Sequence, residues 1–222
     1  MFDFAAARAF MVEGQIRTSD ITETRLVNSM FELPRERFVP DSWRTLAYAD
    51  REIPAAESGS SVERFLPSPM ALGRIILMAD LRPEDYVLHI GCTTGYGTAI
   101  MARLANSIVA LEEDEALAKA ASDNLAALDI GNVAVVTGPL AKGYPSEGPY
   151  DAIVIEGALE VLPDSLSKQL KDDGRLVAIV GAGRTGRGTL FRKTAKGLSG
   201  FPVFDAAAPL LPGFAKAPAF TF

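Results

Sequence analysis

The fold is decided by residues 86–97, which read YVLHIGCTTGYG. The first five of these residues are mostly apolar, which is typical of a strand buried on both faces of a sheet. Gly91, Gly95 and Gly97 then form a turn that leads into a predicted helix ending at about Ala105. In a doubly wound sheet such a turn lies at the carboxyl ends of the strands, where ligands bind. This stretch therefore predicts a ligand crevice at the start of an α/β domain.

The chain downstream of this turn alternates short apolar strands with amphipathic helices. Strands are predicted at 107–111, 133–136, 150–155 and 175–180, helices at about 114–128 and 163–170, and a terminal β-hairpin from 188–193 and 201–204. Continuous apolar strands that alternate with helices indicate a parallel sheet covered on both faces. We therefore expect a doubly wound, mostly parallel sheet of seven strands within residues 81–205.

Residues 1–80 have a different pattern and are predicted to form an N-terminal helical extension. One helix is expected between Thr22, a candidate N-cap, and Pro34, which cannot continue it. A second helix is predicted at 70–79. Residues 55–69 between them are rich in serine, glycine and proline, which is typical of a loop. We expect this loop to lie on the substrate side of the crevice.

Residues 206–222 form an apolar tail with a single charged residue, Lys216. An apolar segment of this length left in water would form a sizeable exposed patch. The tail is therefore expected to pack somewhere. Two alternatives remain open: it packs on its own domain, or it contacts a partner, for example in a homodimer.

The composition excludes several classes of function. The 222 residues carry a formal net charge of −6, which argues against nucleic acid or an anionic membrane as the main partner. With one cysteine and one histidine, the chain cannot form an internal disulfide, a Cys-based zinc site or a paired-His metal centre. No apolar stretch reaches 18 residues, and the N-terminus lacks the pattern of a secretory signal. We expect a cytoplasmic protein without a metal.

An acidic residue after the second strand indicates the kind of ligand. Glu112 follows Gly91 by 21 residues, and an acid at this point accepts both hydroxyls of a ribose. Thr93 stands where a dinucleotide loop has its middle glycine, and the glycine spacing fits the turn of S-adenosylmethionine enzymes better. The alternative is a turn that binds nothing. The pattern favours S-adenosylmethionine as the cofactor.

Several further segments resemble the protein-L-isoaspartate O-methyltransferase family. The most specific is 29–40, SMFELPRERFVP, and the others are 11–16, MVEGQI, 47–50, AYAD, the glycine turn with Tyr96, Leu111-Glu112 and 150–155, YDAIVI. The similarity covers roughly residues 10–181. It implies a Rossmann-like class I S-adenosylmethionine-dependent methyltransferase fold. It also implies an enzyme, a protein carboxyl O-methyltransferase that acts on L-isoaspartyl residues in damaged proteins.

The implied reaction needs little acid–base machinery. A carboxylate is already a nucleophile at pH 7, and the methyl group of a sulfonium is already activated. The protein must mainly hold the two in line and exclude water. The lack of a catalytic histidine or cysteine is therefore no objection.

The resemblance also implies which residues contact the cofactor. They are His89, Gly91, Cys92, Thr93, Gly95, Glu112, Gly138, Pro139, Leu140 and Glu156. Several of these depart from the family pattern. His89 stands where the family has an acid near the methionine ammonium. Thr93 replaces a glycine and would be strained if its φ is positive. Pro139 replaces an acid and lacks a backbone N–H.

Two further departures concern charge and the substrate loop. Glu156 stands where the family has threonine, and it either contacts the cofactor ammonium or is a solvated residue at the strand end. The loop is about five residues longer than in the family, and its usual hydroxyl pair is displaced. Ser60 and Arg64 are the candidates to hold the substrate carboxylate. The alternative for residues 58–61 is a flexible loop.

Three hypotheses about function therefore stand. The first is an active isoaspartyl methyltransferase. The second is a family member that kept the fold, lost the chemistry and acts through binding or assembly. The third is a methyltransferase with an altered substrate that uses Arg64 and Glu156. The fold alone cannot separate them, because function depends on the site.

Overall fold

The computed structural model of the protein describes residues 2–57, 63–181 and 183–216. The α-helices are α1 (Phe4–Met11), α2 (Thr24–Glu32), α3 (Pro69–Ala79), α4 (Tyr96–Ala102), α5 (Glu115–Ala126) and α6 (Asp164–Lys168). The strands are β1 (Ile53–Pro54), β2 (Phe65–Leu66), β3 (Tyr86–Ile90), β4 (Ser107–Glu112), β5 (Val133–Thr137), β6 (Tyr150–Leu159), β7 (Leu170–Val180), β8 (Arg187–Thr194) and β9 (Gly197–Asp205).

The main sheet has seven strands in the order β5-β4-β3-β6-β7-β8-β9. The strands from β5 to β7 are parallel, and β8 and β9 form an antiparallel hairpin at one edge. The predicted mostly parallel sheet and terminal hairpin are confirmed. The chain moves from β3 to β4 and β5 on one side and then returns to β6 on the other. This reversal opens a crevice at the carboxyl ends of β3 and β6, as expected for doubly wound sheets.

Alternate residues of the central strands enter two hydrophobic layers. Ala152 and Val154 face the layer formed with the N-terminal helices, α3, α4 and α5. Ile153 and Ile155 face the opposite layer, which includes Leu166 of α6 and residues of the C-terminal tail. This period of two is that of a strand buried on both faces. The tail thus helps to cover the second face of the sheet.

The tail packs on its own chain as far as the structure describes it. Phe214 is fully buried, and Leu211 is nearly so. The Ala158 N–H donates to Pro209 O (2.9 Å), and the Leu211 N–H donates to Ala158 O (2.9 Å). The first of the two alternatives for the tail is therefore confirmed up to Lys216. A homodimer contact through the tail stays a prediction, and residues 217–222 of the tail lie outside the described residues.

Two local predictions need correction. Glu23, not Thr22, caps α2, because the Glu23 carboxylate accepts the Leu26 N–H at 2.5 Å. The region predicted as one loop is closed at its base, since β1 pairs antiparallel with β2 and the Ala55 N–H donates to Arg64 O (2.8 Å). This pairing fixes the backbone of Arg64 beside the crevice. The division into 1–80 and 81–205 stays a prediction.

Among the described residues, no helix is both long and apolar enough to cross a bilayer.

A buried arginine joins the segments that carry the family signature. Arg35 is fully buried, and it donates from Nε to Ala47 O (2.7 Å) and from Nη2 to Pro67 O (2.6 Å). Its guanidinium lies over the Tyr96 ring, 4.7 Å from the centroid. The signature segment is thereby tied to the loop base and to the start of α4, so it supports the crevice without lining it.

We expect Arg35→Ala to lower the free energy of unfolding by about 3 kcal/mol, because two buried carbonyl groups lose their donor and the Tyr96 ring loses its packing partner. Urea unfolding followed by circular dichroism measures this change. The neighbouring, exposed Arg37→Ala is the matched control, with an expected effect within about 0.5 kcal/mol. Equal effects of the two substitutions would contradict this structural role.

Candidate functional site

The glycine turn after β3 adopts the left-handed backbone that its glycines allow. Gly91 has φ +81° and Gly95 has φ +96°. Thr93 between them has φ +48°, which confirms the strain expected if a β-branched residue took this conformation. The Gly91 N–H donates to Leu111 O (2.8 Å), so the turn is fixed against the end of β4. Strained backbone of this kind clusters at functional sites.

The Glu112 carboxylate is fully buried at the end of β4. Oε2 accepts the Thr93 N–H at 2.8 Å. Oε1 accepts the Glu113 and Asp114 N–H groups at 2.9 and 3.3 Å. Arg64 Nη1 donates to the same Oε1 at 2.6 Å. Because a carboxylate offers about four acceptor sites, these donors occupy Glu112 where ribose hydroxyls are expected to bind.

Arg64 reaches into the crevice and does not remain on the substrate loop. Its side chain is 7% exposed, and Nη2 has no hydrogen-bond partner among the described residues. A Cβ built on Gly91 would lie only 3.0 Å from Nη2. The guanidinium therefore lies directly over the glycine turn. A role of Arg64 in holding a substrate carboxylate stays a prediction, and Ser60, its predicted companion, lies outside the described residues.

The C-terminal tail also enters the crevice. The Leu211 side chain comes within 2.5 Å of a Cβ built on Gly157 and within 3.4 Å of one built on Gly91. Only a glycine at position 157 leaves room for Leu211. The sequence pattern does not predict that Leu211 occupies this space. The available signal was the apolar character of the tail, which does not specify where the tail packs.

His89 and Glu156 form a buried pair beneath the crevice. His89 Nδ1 lies 2.8 Å from Thr98 Oγ1, and His89 Nε2 lies 3.1 Å from Glu156 Oε2. The imidazole and the carboxylate are close to each other but are not aligned for a hydrogen bond. Glu156 Oε2 therefore has no hydrogen bond among the described residues. Glu156 is 2% exposed, so its reading as a solvated residue is wrong. A Cβ on Gly97 would collide with its carboxylate.

The three consecutive positions 138–140, which were predicted to contact the cofactor, differ in their burial and contacts. The Gly138 N–H donates to Glu112 O (3.0 Å), which places Gly138 beside the crevice. Pro139 is exposed and precedes a single 3-10 turn. The Leu140 side chain is fully buried in the second hydrophobic layer. Their contacts with a cofactor stay predictions.

The space left in the crevice is unevenly distributed. An outer cavity of about 630 Å³ is lined by Glu63, Arg64, Glu112, Asp114, Leu211 and Gly213 among others. The inner part, between Arg64, Glu156, Gly157 and Leu211, keeps only about 10 Å³. That is roughly the minimum that one water molecule needs. Arg64 and Leu211 therefore close the inner crevice.

Comparisons with known proteins place this architecture. A solved protein-L-isoaspartate O-methyltransferase superposes with a TM-score of 0.83 at 24% identity, over 93% of this chain and 66% of that one. A second, from Plasmodium falciparum and described as a putative protein-L-isoaspartate O-methyltransferase in complex with S-adenosyl-L-homocysteine, has a TM-score of 0.74 at 19% identity, over 92% and 97% of the two chains. The fold is thus that of a Rossmann-like class I methyltransferase.

The sequence comparisons identify the family. The model of the protein-L-isoaspartate(D-aspartate) O-methyltransferase (PCMT) family matches residues 7–201. A relative of that name from Methanoculleus marisnigri is 38% identical over 78% of this chain and 77% of its own length. Another, from Methylorubrum extorquens, is 36% identical over 97% and 92%. The chain belongs to the protein-L-isoaspartate O-methyltransferase family.

We expect the single thiol, Cys92, to be inert in the folded protein. Burial raises the pKa of Cys92 well above its usual value, and the nearby Glu112 and Glu156 carboxylates raise it further. A thiol-specific chromogenic reagent at pH 8 should react at least about a hundredfold more slowly with the native chain than with the urea-unfolded chain, since reaction requires opening. Fast reaction of the native protein would contradict the burial of this thiol.

Proposed function

We propose that this protein transfers a methyl group from S-adenosylmethionine to the carboxylate of L-isoaspartyl residues in damaged proteins. The observation that carries the proposal is the family match, which spans both the signature around Arg35 and the crevice around Glu112. The relatives that bear this name support the substrate class. A cytoplasmic setting, expected from the sequence, belongs to the same proposal.

The residues beneath Arg64 and Leu211 fit the cofactor. Glu112 is held by backbone N–H groups alone once Arg64 is withdrawn, so it is free to accept ribose hydroxyls. Glu156 Oε2 is buried without a hydrogen bond, as an acceptor for an ammonium group should be before binding. It thus supplies the negative charge that His89 cannot offer. When bound, the cofactor supplies an activated methyl group on a sulfonium.

The protein's own contribution is to bind, orient and exclude water. The glycine turn and Glu112 fix one reactant, and the buried surroundings of Glu156 keep the inner crevice dry. A cleft of about 380 Å³ beside it, lined in part by Arg37, Arg44 and Asn124, is the proposed seat of the substrate peptide. Positioning two already reactive groups supplies the main part of the rate enhancement.

A non-catalytic role through binding or assembly is the second candidate. The observation that favours it is the closure of the inner crevice by Arg64 and Leu211. An altered substrate, with Arg64 as the residue that selects it, is a variant of the first candidate. The three hypotheses, an isoaspartyl methyltransferase, a non-catalytic protein and a methyltransferase with an altered substrate, make different predictions for ligand binding and for methyl transfer.

We expect the protein to methylate an isoaspartyl peptide and to leave the matched aspartyl peptide unchanged when a labelled methyl donor is supplied at millimolar concentration. Scintillation counting of the peptide measures transfer, and a rise in melting temperature with S-adenosylhomocysteine measures binding. Binding without transfer to the isoaspartyl peptide would favour an altered substrate. The absence of both would favour the binding or assembly role.

We expect Glu112→Ala to weaken S-adenosylhomocysteine binding at least tenfold, about 1.4 kcal/mol, because charge-assisted hydrogen bonds to the ribose are lost. Calorimetry compares the affinities of the Arg64→Gln variant and the Arg64→Gln, Glu112→Ala double variant. Both lack the Arg64–Glu112 ion pair, so its loss does not contribute to the difference in affinity. Exposed Glu115→Ala, on α5, is the matched control. Unchanged affinity after Glu112→Ala would remove Glu112 from the ribose role.

A further inference from the structure

We propose that Arg64 and the segment 208–214 form an internal plug that occupies the cofactor crevice and holds the protein in a self-inhibited state. The plug must withdraw before a nucleoside-bearing cofactor can enter. This inference rests on the proposed function and adds a regulatory step to it. It is carried by three contacts: Arg64 with Glu112, Leu211 with Gly157, and both side chains with the space over Gly91.

Arg64 competes directly with a ligand for Glu112. The Nη1–Oε1 contact of 2.6 Å joins two buried charges, 7% and 0% exposed. Three backbone N–H groups already use the same carboxylate. Oε1 then has three donors and Oε2 has one, so a ribose cannot place one hydroxyl on each carboxylate oxygen while Arg64 is bound. Arg64 Nη2 has no hydrogen-bond partner among the described residues. The contact of Nη1 with Glu112 is therefore what holds the guanidinium in the crevice.

Leu211 occupies the other half of the same space. Its side chain lies against Gly157 near the end of β6, and it also comes close to Gly91, where Arg64 lies as well. Leu211 is 5% exposed, so its burial contributes favourably to the closed state. The two side chains together leave too little room in the inner crevice for any cofactor.

The plug is attached by backbone hydrogen bonds to the end of β6 and by the buried side chains of Leu211 and Phe214. The segment 208–214 runs as a single pass without a helix and is held to β6 by hydrogen bonds of Ala158 with Pro209 and Leu211, with Phe214 O accepting the Glu160 N–H (3.0 Å). Withdrawal leaves Glu112 fixed by Thr93 and its own following residues. A preformed site thus lies beneath the plug, and the outer cavity beside it offers a path of entry.

The first test compares affinities for S-adenosylhomocysteine by calorimetry, using full-length protein. We expect Arg64→Gln and Leu211→Ala each to strengthen binding severalfold, and the double variant to strengthen it at least tenfold. Arg17→Gln and Leu77→Ala, which change exposed residues away from the crevice, are the matched controls and should bind like the unmodified chain.

The second test needs no substitution and measures directly whether the plug opens. Hydrogen exchange of the unmodified protein is measured with and without saturating S-adenosylhomocysteine. Ligand binding usually slows exchange around a site. A displaced plug instead predicts faster exchange of the Leu211 and Ala158 amides, because the hydrogen bonds from the Leu211 N–H to Ala158 O and from the Ala158 N–H to Pro209 O break. The glycine turn should become more protected at the same time.

The possible results separate this inference from the proposed function. Unmodified and double-variant proteins that bind equally tightly, or slower exchange across 208–214 on binding, would overturn the plug and leave the methyltransferase assignment intact. If folded variants and unmodified protein all fail to bind S-adenosylhomocysteine, both the plug as a cofactor gate and the proposed function are refuted. Stronger binding by the variants with faster exchange in 208–214 supports the plug.

Discussion

The buried ion pair between Arg64 and Glu112 determines what this crevice can do. Glu112 is placed by the end of β4 and is already satisfied by backbone N–H groups, so it does not need Arg64 for its own stability. Arg64, by contrast, has no other strong acceptor for its charge among the described residues. Taking one partner from a buried pair is costly when the other stays buried and unpaired. Opening is therefore favourable only if Arg64 reaches solvent or another anion.

The same pair links the crevice to the substrate loop. Arg64 lies next to β2, whose pairing with β1 closes the base of that loop. Arg64, on the substrate side, thus donates a hydrogen bond to Glu112, the residue expected to bind the cofactor. In a methyltransferase this arrangement lets the loading of one site depend on the state of the other. The charge of Arg64 also suits a carboxylate substrate, although tight bidentate pairing would reduce the nucleophilicity of that carboxylate.

Local sequence patterns were sufficient to predict the sheet. Strands such as 86–90 have a continuous apolar character that only burial on both faces explains, and the hairpin at 187–205 carries its own turn. The strained φ of Thr93 was also foreseeable, because the glycines on both sides fix the type of turn. These features depend on neighbours within a few residues. The capping of α2 by Glu23 instead of Thr22 shows that a sequence pattern locates a helix end only to within one or two residues.

The contents of the crevice could not be predicted in this way. Arg64 was expected to hold a substrate carboxylate, which stays a prediction, and its partner in the structure is the Glu112 carboxylate, 48 residues away on another element. Leu211 contacts Gly157, but the tail that carries Leu211 has no periodic sequence pattern. Only the three-dimensional packing therefore shows where this side chain lies. Glu156 has the sequence context of a strand end, yet the close approach allowed by Gly97 buries it. Long-range packing determined each of these outcomes.

The most direct measurement is a crystal structure of the protein with S-adenosylhomocysteine. We expect an adenosyl group beside the Gly91–Gly95 turn, with its ribose on Glu112, Arg64 turned away and Leu211 displaced from Gly157. A bound ligand with the Arg64–Glu112 pair intact would contradict the competition on which the account depends.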